Sequence, residues 1–165
     1  MNIDHYRPLL KKFQELIETK LGHALVSMVV YGSVARGTAR PESDIDILIV
    51  VEDSFPNAAS MVSCVRREIE EHPVSASYRN PRFGTIPLLS CLTLTRSRAN
   101  QNKWLYLDMT EEAVIFFDRH NFFRARLEEV KRSMKRLGSK RVVLPDSSWY
   151  WNLKPDLRPG EVFEL

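Results

Sequence analysis

The hydrophobic positions in the first half of the chain predict alternating helices and strands. Residues 6–21 carry apolar side chains three or four positions apart with charged side chains between them, which is typical of an amphipathic helix. Residues 24–31 and 44–51 are short apolar runs rich in β-branched side chains, and each predicts a buried strand. Residues 57–71 return to helical spacing, and Pro73 ends that helix.

The second half continues the alternation. Residues 88–95 predict a third strand, residues 97–112 a helix, and residues 113–117 a short strand. The spacing of apolar side chains over residues 122–137 predicts a strongly amphipathic helix that Gly138 terminates. Strands that alternate with helices indicate the α/β or α+β class.

Two segments show no regular hydrophobic period. Residues 78–83 predict a loop, and residues 139–165 form a tail that contains three prolines, two tryptophans and one tyrosine. Aromatic side chains in such a tail most often pack back onto the domain, so the tail is assigned to the same unit. The predicted organisation is therefore one domain over residues 1–138 with a packed C-terminal tail over residues 139–165.

Length and composition indicate a single domain that closes its own core. The chain has 165 residues, of which 44% are hydrophobic and 27% charged, so neither disulfides nor a structural metal is needed for stability. No apolar run reaches the roughly 20 residues that span a membrane, and the first residues are too polar for a secretory signal. We therefore expect a cytoplasmic protein without a membrane partner.

The net charge of +3 is unevenly distributed. Residues 1–80 contain 9 basic and 11 acidic side chains, a net charge of −2, whereas residues 81–165 contain 15 and 10, a net charge of +5. An acidic half beside a basic half suits a site that binds a metal ion together with a polyphosphate. An ordinary solvated surface has the same composition, so charge alone leaves both interpretations open.

The candidate chemistry lies between the first two predicted strands. Gly32 follows the first strand directly and allows a ligand to approach the backbone, while Ser33 offers a hydroxyl that can cap a helix beside free N–H groups. This turn is a candidate phosphate cradle. Asp44 and Asp46 lie two residues apart in the second strand, so both carboxylates are expected on one face.

Two carboxylates this close repel each other unless a cation lies between them. Hard oxygen ligands suit Mg²⁺ or Mn²⁺, and a phosphate cradle that faces a divalent-metal pair is the machinery of phosphoryl or nucleotidyl transfer. Either motif alone is common in unrelated proteins. Their combination inside apolar strands, with eleven residues from Ser33 to Asp44, is specific.

The motifs GSxARG and SDIDILIV resemble the signature of the DNA polymerase β-like nucleotidyltransferase superfamily, in its minimal-nucleotidyltransferase form. The resemblance is strongest over residues 24–52 and extends less specifically to about residue 137. It implies a small mixed β-sheet with helices packed mainly on one side, an NTP substrate with ATP favoured, and two Mg²⁺ ions.

The resemblance also implies roles for individual residues. It implies that Gly32 and Ser33 bind the nucleotide triphosphate and that Asp44 and Asp46 hold the catalytic metal ions. Arg36 is expected to add positive charge near the phosphates, although an exposed surface position explains this arginine equally well.

One part of the family pattern is missing from the chain. Active members usually add a third carboxylate from a neighbouring strand, and residues 88–95 contain neither Asp nor Glu. Acidic residues further along are more typical of helix starts and surface positions. The candidate substitutes are Asp108, Glu111, Glu112, Asp118 and Asp156.

The leading hypothesis is a metal-dependent nucleotidyltransferase. It moves a nucleoside monophosphate, with AMP favoured, from an NTP to an acceptor hydroxyl and releases pyrophosphate. The acceptor is open among a protein partner, a small molecule and an RNA end. The alternative is a catalytically degenerate, antitoxin-like module that binds nucleotide or regulates a partner. The missing third carboxylate favours this alternative, and the presence of both motifs favours the enzyme.

Overall fold

A four-stranded mixed sheet forms the centre of the fold. The computed structural model describes residues 1–80 and 84–164, so residues 81–83 of the predicted loop over 78–83 lie outside the described part. The strands are β1 (Leu25–Tyr31), β2 (Ile45–Val51), β3 (Leu89–Thr95) and β4 (Val114–Asp118). In the order β3-β2-β1-β4, strand β1 is antiparallel to both neighbours and β2 is parallel to β3.

The helices and a small C-terminal hairpin surround this sheet. The α-helices of the described part are α1 (Ile3–Leu21), α2 (Gly32–Arg36), α3 (Ala58–Glu71), α4 (Arg96–Ala99), α5 (Leu105–Glu112) and α6 (Phe122–Leu137), and short 3-10 helices cover Gly22–Ala24, Pro73–Tyr78 and Arg119–Asn121. The hairpin consists of the antiparallel strands β5 (Lys140–Val143) and β6 (Trp149–Asn152). None of the helices in the described residues has the length and apolar character that crossing a bilayer requires.

Both faces of the sheet are covered by helices, because both faces of β2 are apolar. Ile45, Ile47 and Ile49 belong to a core that includes side chains of α1 and α3. Leu48 and Val50 point to the opposite face and belong to a second core with α5 and α6. The predicted α/β class with a mixed sheet is confirmed, and the helices are distributed over the two faces rather than mainly on one.

The predicted helix over residues 97–112 is wrong in one respect, because the structure divides it into α4 and α5. Residues 100–104 separate the two helices, and this polar stretch favours a turn. The side chain of Asn102 accepts a hydrogen bond from the guanidinium of Arg126 in α6. The Tyr106 hydroxyl donates to the last carbonyl of α4 at 3.0 Å, which ties the two helices together.

Candidate active site

The two sequence motifs meet at one edge of the sheet. Because β1 and β2 are antiparallel, the end of β1 lies beside the start of β2, and Tyr31 pairs with Asp46. Helix α2 begins at the next residue, Gly32, so the Gly32–Ser33 turn leaves the sheet next to the Asp46 carboxylate. The topology therefore brings the candidate phosphate cradle and the acidic pair together.

Gly32 leaves the space in which the carboxylate of Asp46 lies. A Cβ atom built on Gly32 would overlap Asp46 Oδ2 and would lie 3.2 Å from Asp46 Cγ. The backbone φ of Gly32 is +72°, in the left-handed region that costs other residues about 1–2 kcal/mol. Close approach and backbone conformation thus both require glycine at this position.

Asp44 and Asp46 differ in their surroundings. Asp44 precedes β2 and is exposed, so the predicted strand began one residue too early, whereas Asp46 lies within β2 and is half-buried. Burial raises the pKa of Asp46, the negative charge of Asp44 raises it further, and Arg36 lowers it. These three charged side chains therefore share one electrostatic environment.

Arg36 is a partly buried residue at the end of α2. Its Nη1 atom donates to Glu112 Oε1 at 2.6 Å, and the two side chains are 25% and 8% exposed. Its guanidinium also lies over the ring of Trp149, 4.9 Å from the centroid. The surface interpretation of Arg36 is therefore wrong, because this side chain connects the site to α5 and to the hairpin.

Strand β3 supplies no carboxylate next to the acidic pair. The residue of β3 in register with Asp46 is Ser90. Among residues 1–80 and 84–164, no cluster of three or more His, Cys, Asp and Glu side chains has a metal-binding arrangement. A metal ion at this edge would therefore depend on the two aspartates and on oxygen atoms of a ligand.

The candidate substitutes in α5 have other partners. Asp108 Oδ1 accepts hydrogen bonds from Nε1 of Trp149 at 3.0 Å and of Trp151 at 2.8 Å. Glu111 forms an ion pair with Arg141 at 3.0 Å, and Glu112 is the partner of Arg36. These acids attach the hairpin and α2 to α5. The remaining candidate in the tail, Asp156, is exposed.

Asp118, the last residue of β4, caps the start of helix α6 with its side chain. Its Oδ1 accepts from the backbone N–H of Phe123 at 2.9 Å and from Ser27 Oγ at 2.7 Å, and its Oδ2 accepts from the N–H of Arg124 at 3.0 Å.

We predict that Asp118→Ala lowers the free energy of unfolding by about 1–2 kcal/mol in urea titrations, because the first N–H groups of α6 lose their acceptor. Nucleotide affinity stays unchanged. A folded Asp118→Ala protein with weakened nucleotide binding would make Asp118 a site residue again.

A cleft opens beside Asp44. Its volume is about 510 Å³, and its walls come from the start of α1, the residues before β2, and the segments that precede β3. His5, Tyr6 and Tyr78 form a group of contacting rings in this wall, with centroids 4.7 to 5.8 Å apart. The volume is in the range of small-molecule sites, and Asp44 is the member of the acidic pair that lines this cleft.

Comparison with known proteins identifies the class to which this site belongs. A family described as "Nucleotidyltransferase domain" matches residues 10–133, which is most of the chain. The chain belongs to this nucleotidyltransferase family, as the two motifs predicted, and its reaction class is nucleotidyl transfer.

One protein and two solved structures illustrate what the chain is similar to. A candidate protein adenylyltransferase of Methanocaldococcus jannaschii is 26% identical over 154 residues, which is 88% of this chain and 92% of that protein. The crystal structure of a candidate nucleotidyltransferase from Sulfolobus solfataricus is similar to this chain with 20% sequence identity and a TM-score of 0.41. The match covers 68% of this chain and 80% of the Sulfolobus chain. In a complex of tri-AMPylated Shewanella oneidensis HEPN toxin with MNT antitoxin, the matching chain is 12% identical, with coverages of 80% and 92% and a TM-score of 0.39.

Proposed function

We propose that the protein transfers AMP from ATP to a hydroxyl group of a protein acceptor, with release of pyrophosphate and dependence on Mg²⁺ or Mn²⁺. The observation that carries this proposal is the contact between the Gly32 turn and the Asp46 carboxylate, with Asp44 beside it. The adenylyl group and the protein acceptor are supported by the likeness to a candidate protein adenylyltransferase over 88% of the chain.

The Gly32–Ser33 turn is the proposed binding site for the triphosphate. Gly32 carries no side chain that would keep phosphate oxygens away from the backbone. Ser33 is partly exposed, and its hydroxyl has no hydrogen-bond partner among the described residues, so it is available to a phosphate oxygen. Arg36 lies one helical turn further along α2 and supplies positive charge on the same side.

Asp44 and Asp46 are the proposed metal ligands. Mg²⁺ is commonly held by one or two carboxylates together with substrate phosphates and water, which fits an acidic pair without a third protein acid. The raised pKa of Asp46 supports this role, because a cation would relieve the repulsion from Asp44 and the cost of burial. The bound ion would neutralise negative charge on the reacting phosphates.

The acceptor hydroxyl must lose a proton during transfer, and the chain offers little help for this step. A general base contributes about 100- to 10,000-fold to a rate, and the β3 position beside Asp46 is occupied by Ser90. We therefore expect transfer that is detectable but slow, with water or an acceptor group taking the proton.

Calorimetry tests whether ATP and the metal ion bind together. ATP affinity should fall by tenfold or more, on the order of 1.4 kcal/mol, when EDTA is added or when Asp44→Asn and Asp46→Asn are combined. The reason is that the triphosphate and the two aspartates repel one another without a cation. ATP affinity that is unchanged in both experiments would remove the metal site from the proposal.

Transfer is tested separately with ATP labelled in its α-phosphate. Label should appear on a protein in cell extract in the presence of Mg²⁺ or Mn²⁺ and should be absent with Asp46→Asn. Label on RNA or on a small molecule would replace the protein acceptor by one of those classes. ATP binding without transfer to any acceptor would leave the alternative, a nucleotide-binding module.

A further inference from the structure

The C-terminal hairpin contacts Arg36, the last residue of α2. The guanidinium of Arg36 is held from one side by Glu112 at 2.6 Å and lies over the Trp149 ring at 4.9 Å. We propose that Trp149 is a positioning residue of the active site, which together with Glu112 holds Arg36 in place to bind the ATP phosphates. This inference rests on the proposed function.

Helix α2 places Arg36 on the same side as Ser33. The two residues are three positions apart, so they lie on one side of this single turn, about 4.5 Å apart along its axis. The Gly32 side of the turn is the side that touches Asp46. Arg36 therefore extends the surface that the triphosphate is proposed to occupy.

Arg36 retains hydrogen-bond donors for a ligand. A guanidinium has five N–H groups, and Glu112 is its recorded acceptor within the described part of the chain. The Arg36 side chain is still 25% exposed, so the other donors are within reach of an anion. The carboxylate of Glu112, in contrast, is 8% exposed and is committed to this pair.

Trp149 is itself fixed before any ligand binds. Its Nε1 donates to Asp108 at 3.0 Å, and the guanidinium of Arg141 lies 4.1 Å from its ring centroid. Arg141 is anchored in turn by Glu111 at 3.0 Å. A ring that is held in this way can stack on Arg36 without first losing conformational freedom, which is the condition for effective positioning.

Two tryptophans of β6 give a matched pair of variants. Trp149 and Trp151 both donate to Asp108 Oδ1, and Trp149 is the one whose ring lies against Arg36. Trp149→Leu should weaken the binding of Mg²⁺–ATP about three- to tenfold in calorimetry, as should Arg36→Lys, because planar stacking on the ring is lost in each. Trp151→Leu should bind like wild type. Trp149→Phe should restore most of the affinity, since a ring is again present.

Tryptophan fluorescence distinguishes a positioning role of Trp149 from a purely structural one. Mg²⁺–ATP should alter the tryptophan emission of the wild type and of Trp151→Phe, and the change should be absent in Trp149→Phe. The third tryptophan, Trp104, is 77% exposed and supplies a constant background. In the Arg36→Ala protein, Trp149→Leu should cause no further loss of affinity, because the two side chains act through one contact.

The outcomes separate this inference from the function on which it rests. Wild-type protein that binds no ATP would overturn both. If the wild type binds ATP, two results would overturn the positioning role and leave the proposed function intact. One is an equal loss of ATP affinity in Trp149→Leu and Trp151→Leu. The other is that the losses of affinity caused by Trp149→Leu and Arg36→Ala add up in the double variant. If Trp149→Leu does not fold, the ATP affinity of Arg36→Lys and the tryptophan emission of Trp149→Phe test the positioning role instead.

Discussion

Asp46→Asn is expected to lower the rate of nucleotide transfer on the order of 1000-fold while the fold is kept. The amide has nearly the size of the carboxylate and still fits the space against Gly32, but it lacks the negative charge that a divalent ion requires. The rate is measured as label transferred from ATP under conditions in which the wild type is active.

The same substitution should stabilise the protein in the absence of ligand. Burial and the charge of Asp44 raise the pKa of Asp46 in the folded chain, so the stability of the wild type decreases as the pH rises through that raised pKa. The amide does not ionise. Thermal unfolding at neutral pH should therefore occur at a higher temperature for Asp46→Asn, and the difference should disappear as the pH is lowered and Asp46 is protonated.

Asp53→Asn is the matched control for this experiment. Asp53 follows the other end of β2, is exposed, and accepts hydrogen bonds from the N–H and hydroxyl of Ser97 at 3.1 and 2.6 Å. An asparagine oxygen can accept the same bonds, so transfer should continue at the wild-type rate. Transfer by Asp46→Asn at the rate of Asp53→Asn would show that the pair at the start of β2 is not the catalytic site.

The proximity of the two motifs could be predicted from the sequence because they are close along the chain. Asp44 lies eleven positions after Ser33, and so short a connection between two buried strands favours antiparallel pairing, which places the two motifs side by side. The apolar periods of β1, β2 and α6 also predicted those elements, since each one buries a surface that its sequence makes apolar.

The surroundings of Arg36 could not be predicted in the same way. Its partner Glu112 is 76 positions away, and the pairing depends on how α5 packs against α2. The contact between Trp149 and Arg36 was missed because the tail was treated as irregular. A signal was present, since Trp149 and Trp151 alternate with Tyr150 as on a strand, and the structure contains β6 at this place.

Gly32→Ala is expected to lower transfer about 100-fold, because a displacement of a catalytic group by roughly 1 Å has an effect of this size. The new Cβ atom would overlap Asp46 Oδ2, so the carboxylate must move away from its position beside the turn. The backbone φ of +72° adds a stability loss of about 1–2 kcal/mol, measured by urea unfolding. Affinity for Mg²⁺–ATP should fall together with the transfer rate.

Gly138→Ala separates the backbone cost from the effect on the site. Gly138 ends α6 with a φ of +68°, and a Cβ atom there would meet no heavy atom within 4 Å. Its alanine variant should lose a similar amount of stability, because the left-handed conformation is equally unfavourable, and should transfer nucleotide like the wild type. If both alanine variants retain wild-type transfer, the Asp46 carboxylate does not need its place against Gly32, and the phosphate cradle lies elsewhere.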